Sequence, residues 1–221
     1  MKTIQVLALL AAPCLLGADT LSDLRSALQA LKGQAPLSLH IERHTWERKN
    51  GKDQSLHESF DVEDGSKGLR RMDGKALPEC DGKVEQWTRA HLELLNLLLL
   101  ATVLEDKPDV LDGHPVQKLR VSLLSNLNAQ AETSGKVKFK KFNMEMTLWV
   151  GPDHLPLVVN KQMEMEGKAA LLFTFSTKGQ EHRGYLKVKD RLVMVEANQD
   201  AQIKAMGQDT IEREMVRCTV L

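Results

Sequence analysis

The sequence predicts an α+β protein built on one large antiparallel sheet. Three observations carry the prediction: a helical hydrophobic period near the start, a period of two through most of the remainder, and one dense leucine run between the strands. The helical period lies in "DTLSDLRSALQALKG", where Leu21, Leu24, Leu28 and Leu31 fall three and four apart on one face. Asp19 or Thr20 is placed to cap its start and Gly33 to end it.

Strands follow at once. Leu37, Leu39 and Ile41 alternate with Ser38, His40 and Glu42; after Asn50-Gly51, Leu56, Phe60 and Val62 alternate with Ser55, Ser59 and Asp61. Asn-Gly is a strong hairpin signal, because a type I′ turn needs positive φ at both central residues. A two-residue loop sets Lys49 opposite Lys52, and the same register brings Leu39 to Val62, Ile41 to Phe60 and Arg43 to Glu58. Apolar meets apolar and opposite charges meet, which supports the register independently of the turn. "GLRRMD" supplies a third strand.

Residues 89–106, "RAHLELLNLLLLATVLED", predict a helix apolar on most sides, too short to span a membrane and ended with the help of Pro108. Strand periodicity then returns. Leu119, Val121 and Leu123 share a face, as do Phe142, Met144, Met146 and Leu148 on a strand ending at Trp149. Val159, Met163 and Met165 share the next face, interrupted by Lys161, and Leu171, Phe173 and Phe175 the one after. "RLVMVEA" and "REMVRCTVL" complete the pattern, giving eight to eleven strands with two helices.

The opening "MKTIQVLALLAAPCLLGADT" has a positive residue, a short apolar run and the small pair Gly17-Ala18, the pattern of a cleaved secretory signal. Residues 1–18 are therefore expected to be a signal peptide and 19–221 a single domain of an exported protein that does not span the membrane. Cys14 leaves with the leader. Cys80 and Cys218 remain, as a disulfide or as two buried thiols. Thirty Lys plus Arg balance thirty Asp plus Glu, so no basic excess suggests a nucleic-acid partner.

No Gly-x-Ser-x-Gly elbow and no phosphate-binding glycine loop occurs, and His91, His114, His154 and His182 are scattered. No catalytic residue, no cofactor and no enzymatic activity are expected. His40 and His44, about 13 Å apart along one strand, cannot share a metal. His44 and His57 face each other across the hairpin, about 5 Å apart at Cβ, and could hold one Zn²⁺ or Cu²⁺ with Glu42 or water; the alternative is a solvated polar face. The Met-x-Met pairs offer soft sulfur, but their face-sharing with Phe142, Leu148 and Val159 favours core or cavity lining over copper.

The order of elements resembles the periplasmic lipoprotein-carrier (LolA/LolB-like) superfamily. It shares with that family an N-terminal helix "LSDLRSALQAL", a long hairpin, a leucine-rich insertion, and Leu148-Trp149-Val150 followed by Asp153 and Pro156. The resemblance implies an unclosed, curved antiparallel half-barrel, with Leu21–Leu31 and Leu92–Leu104 as helical cover over a concave face that holds acyl chains. Independently, a curved sheet under two helices leaves an apolar interior, either a ligand cavity or a filled core.

The leading expectation is a non-enzymatic periplasmic carrier or binding protein for a lipid, a lipoprotein acyl chain or another apolar ligand. Its lining would be Leu39, Ile41, Phe60 and Val62 of the hairpin, Leu94 and Leu98 of the helix, and Phe142, Met144, Met146, Leu148, Val159, Met163, Met165, Phe173 and Phe175 of the later strands. Expected partners are a lipid or acylated protein and, further, an envelope protein. The alternatives are a periplasmic interaction or sensor module with a filled core, and a weak metal-binding protein using His44 and His57 or the Met pairs.

Overall fold

The computed structural model describes residues 19–65, 68–71, 81–123, 137–169 and 173–221; the leader, Cys80 and Leu171 lie outside them. In chain order the elements are α1 (Thr20–Ala30), β1 (Leu37–Lys49), β2 (Lys52–Gly65), β3 (Gly68–Arg71), α2 (Asp81–Thr88), α3 (Ala90–Leu99), β4 (Thr102–Leu111), β5 (His114–Ser122), β6 (Val137–Val150), β7 (Pro156–Ala169), β8 (Phe173–Val188), β9 (Arg191–Ala205) and β10 (Gln208–Val220). All ten strands join one sheet in the order β3-β2-β1-β10-β9-β8-β7-β6-β5-β4. Every neighbouring pair is antiparallel, and the two edge strands, β3 and β4, are not paired to each other, so the sheet is open.

The α+β class is corrected by this architecture. The described residues are largely β, with three helices of 11, 8 and 10 residues beside the ten strands. The main cause is the leucine run. Its helix stops at Leu99, where Leu100 and Ala101 donate to the carbonyls of Leu97 and Leu98 in tight turns. The β-branched pair Thr102-Val103 then begins β4, facing Ser122 and Val121 of β5. Pro108, expected to terminate the helix, instead lies within β4, an edge strand where a missing N–H is tolerated. Nor is the helix buried on most sides: His91, Leu94 and Leu98 are buried, whereas Leu92 and Leu99 are exposed.

The hairpin follows its expected register throughout, from Lys49 opposite Lys52 to Leu39 opposite Val62. Asn50 and Gly51 both take positive φ, as a type I′ turn demands. Asp19 caps α1 by accepting from the Ser22 N–H, and Gly33, at φ +63°, turns the chain toward β1 while donating to the Asp190 carbonyl. A Cβ at Gly33 would stand 2.8 Å from the buried ring of His91, so the close approach also requires glycine.

One apolar cluster joins Leu21, Leu24 and Leu28 of α1, Val84 and Trp87 of α2, and Leu94 and Leu98 of α3 to the inward residues of the sheet. Beside it lies a buried ion pair. Arg191 begins β9 beyond the last β9–β10 pairing, Glu196 with Arg217, and reaches Asp64 of β2 at 2.7 Å and the Ala35 carbonyl at 2.6 Å. Both charged side chains are 1% exposed, and Arg89 also donates to Asp64. The pair thus ties three non-adjacent parts of the fold: the α1–β1 loop, β2 and β9.

Removing one partner of such a pair leaves a buried charge uncompensated, at a cost of about 3–5 kcal/mol. Asp64→Asn is expected to lower the unfolding free energy measured in urea by that margin, and Asp64→Leu with Arg191→Met to recover much of the loss. Additive losses in the double variant would show that the two residues act independently.

Candidate functional site

Antiparallel register aligns side chains into rows across the sheet. On the helix-facing side, one row runs Glu58, Arg43, Val216, Ala197, Arg183, Val159, Leu148 and Leu119, and the next includes Glu214, Gln199, Glu181, Lys161, Met146 and Val121. These two rows carry charges where the surroundings are nearly dry. Arg43 pairs with Glu214 at 2.6 Å and Glu58 at 3.2 Å; Arg183 pairs with Glu181 at 2.6 Å and with Glu93 of α3 at 2.7 Å; Lys161 also binds Glu181. Burial alone would push the Glu181 carboxyl up, but Arg183 and Lys161 outweigh it and hold the group below its ordinary range. Burial likewise works against the Arg183 charge, and its neighbours Tyr185, Glu181 and Glu93 more than restore it. The Tyr185 phenol is raised, chiefly by burial.

This belt of charges divides the expected lining residues in two. Leu39, Ile41, Phe60, Val62, Leu94, Leu98, Met146, Leu148 and Val159 are buried in the cluster beneath the helices. The voids there are small: about 10 Å³ beside Leu94, Met146 and Tyr185, and about 50 Å³ beside Trp87 and Met194. A void of that size admits at most a water or two, so this part of the interior is filled.

Past the belt the strands run on, and the same face becomes an apolar platform. Phe142 faces Met165, Met144 faces Met163, and Thr177 lies between Met165 and Ile203. Phe142, Met144, Met163, Met165 and Phe175 are half-buried and Phe173 is exposed. The platform has a member that periodicity did not reveal. A bulge between Phe139 and Lys141 shifts the register of β6, placing Phe139 opposite Gly167 on the same face as Phe142. Phe139 then meets Phe142 and Phe175 edge-on, at centroid distances of 5.2 and 6.0 Å. Gly167 permits this packing, since a Cβ there would lie 2.6 Å from the Lys138 carbonyl and 2.9 Å from Phe175. A groove of about 740 Å³ is lined by Phe139, Gly167, Phe175 and Ala205 together with Lys138, Lys168, Glu166, Ser176, Lys204 and Asp209, which alternate with them along the strands and so turn their side chains to the opposite, polar face.

The opposite face is polar. His44 and His57 stand across from each other with ring centroids 5.9 Å apart, as the register requires. His40 is engaged separately, by Asp61 at 2.6 Å and the Ser59 hydroxyl at 3.3 Å. Among the described residues, no group of three or more His, Cys, Asp or Glu side chains could hold a metal. Cys218 is a buried thiol opposite Ile41 with no disulfide partner among the described residues, its pKa pushed up to about 12 by burial; the other half of the expected pair, Cys80, lies outside them.

No family model matches the chain, and no curated protein matches it. Among solved structures, the chain is similar to a DUF1329 family protein from Desulfovibrio piger ATCC 29098, at 12% identity and a TM-score of 0.33, covering 90% of this chain and 93% of that one. It is also similar to MucB in complex with MucA(peri), at 9% identity and a TM-score of 0.23, covering 91% and 93%. Neither is described as a lipoprotein carrier, and overlap of this degree carries neither fold nor function across. Among the described residues, no helix is long and apolar enough to cross a membrane.

Because the Glu181 carboxyl is lowered in the folded protein, it contributes stability above its ordinary value of 4.5 and loses it as pH falls through the folded value. Thermal unfolding of the protein and of Glu181→Gln, followed from about pH 7 to about pH 3, is expected to show a gap that closes at the acid end. A gap independent of pH would mean that the carboxylate charge is not what stabilises the belt.

Proposed function

We propose that this chain is a non-enzymatic binding protein of the bacterial periplasm that seats an acyl chain, of a lipid or of an acylated protein, on the platform beyond the charged belt. The observation carrying the reading is the platform itself: among the described residues, half-buried Phe139, Phe142, Met165 and Phe175 lie outside the helix-covered core on a face that is otherwise filled or charged. Methionine and phenylalanine suit a chain without fixed shape. Export rests on the signal-peptide pattern of residues 1–18.

A second reading, a protein-interaction module, draws on β4. This edge strand exposes Val103, Leu104 and Val110, and a partner strand could add to it.

Fluorescence titration of the detergent-free protein with a polyene fatty acid tests the platform. Each buried methylene contributes about 0.8 kcal/mol, so Phe175→Asp, which removes contact with two or three, is expected to weaken binding by about thirtyfold. Val110→Asp on β4 is expected to leave it unchanged. Unaltered affinity in both Phe175→Asp and Met165→Asp would reject the platform, and fatty-acid binding lost only in Val110→Asp would move the site to β4.

A further inference from the structure

We propose that His44, His57 and Met215 form a Cu⁺ site on the polar face of the sheet, where β2, β1 and β10 run side by side. His44 faces His57 in one register and Met215 in the next, so the three side chains occupy one row on three adjacent strands. All three are exposed on the face opposite the core and the platform.

The hydrogen-bond pattern brings them close. Lys49 and Lys52 flank a two-residue loop and form a hydrogen-bonded pair, and the pair type alternates outward from there. His44 and His57 then form a non-hydrogen-bonded pair, the closer kind, with Cα atoms about 4.5 Å apart. It follows that the backbone of His44 is directed to β10, in agreement with the Asn50 N–H donating to the Asp209 carbonyl, and that His44 and Met215 are about 5.5 Å apart at Cα. The imidazoles already meet edge-on at 67°. Rotation about exposed side-chain torsions is enough to bring two ring nitrogens and the thioether to one point.

The donor set selects the ion. Two imidazoles and a thioether suit Cu⁺, which accepts three ligands and soft sulfur; Zn²⁺ takes four and gains little from a thioether. The flanking positions do not oppose a monovalent cation. On one side Glu42 faces Arg217. On the other, Arg48 and Arg213 lie over the Trp46 ring at 5.1 and 5.2 Å, and each is paired with a carboxylate, Asp53 at 2.6 Å and Asp200 at 3.0 Å. His40 is not a candidate ligand, being held by Asp61 and Ser59, and the Met-x-Met pairs point to the other face.

The test is anaerobic titration of the protein with Cu⁺ against a chromophoric chelator, with Zn²⁺ in parallel. All forms carry Cys80→Ser to remove a competing thiol. The expected result is one Cu⁺ per chain, weakened about tenfold or more by Met215→Leu, with Zn²⁺ affinity unchanged by the same substitution. His57→Ala is expected to weaken both metals. Labelled methionine methyls provide a direct readout: the Met215 signal shifts on adding Cu⁺ and that of Met144 does not. Met215 is exposed and leucine conserves its volume, so folding is not at issue. Equal Cu⁺ affinity in Met215→Leu, or an unmoved Met215 methyl, overturns the site and leaves an ordinary histidine pair.

Discussion

A continuous antiparallel sheet transmits side-chain parity from strand to strand. Once one pair is fixed, every facing residue is assigned to one side or the other, and a slip of one position would exchange the two faces of a whole strand. Here the Asn50-Gly51 turn sets that parity for β1 and β2, and the pairing of β1 with β10 carries it into the rest of the sheet. The buried cluster, the charged belt, the platform and the histidine row are all consequences of it. The Arg191–Asp64 pair then fastens β9 to β2 across the intervening strands.

The belt has a cost and a consequence. Charges in a nearly dry setting lose hydration, and their mutual attraction offsets this only where the geometry is good. Arg183 meets that condition by pairing with Glu181 of its own strand and Glu93 of α3. Its neighbours on the same face are apolar on both sides, Val159 and Ala197 within its row and the platform methionines further along. Among the described residues, the belt therefore marks where the helix-covered core ends and the apolar floor beyond it begins.

What the residues disclosed and what they concealed follow from the range of each interaction. The hairpin was legible because its turn and both strands lie within thirty residues, and the alternation of Phe142, Met144, Met146 and Leu148 placed them correctly on one face. The end of α3 was misread because leucine favours a helix locally, while pairing with β5 decides the fate of Thr102 and Val103. Phe139 was missed because a bulge alters parity without a distinctive residue; Gly167, opposite it, is the one hint in the chain. Met215 could not be associated with His44 at all, since only the β1–β10 pairing joins them.

That same pairing has a bearing on how the chain is made. Leu39 faces Val220, so the seam between β1 and β10 joins segments far apart in sequence and lies near the middle of the sheet. Contacts of such long separation pay the entropy of closing a large loop before they repay it, which slows folding. During synthesis the hairpin of β1 and β2 emerges early with one side awaiting a strand not yet translated. Until β10 is in place, the β1 edge of that hairpin offers unpaired N–H and C=O groups to any other strand it meets, which makes the incomplete sheet the state most open to misassociation.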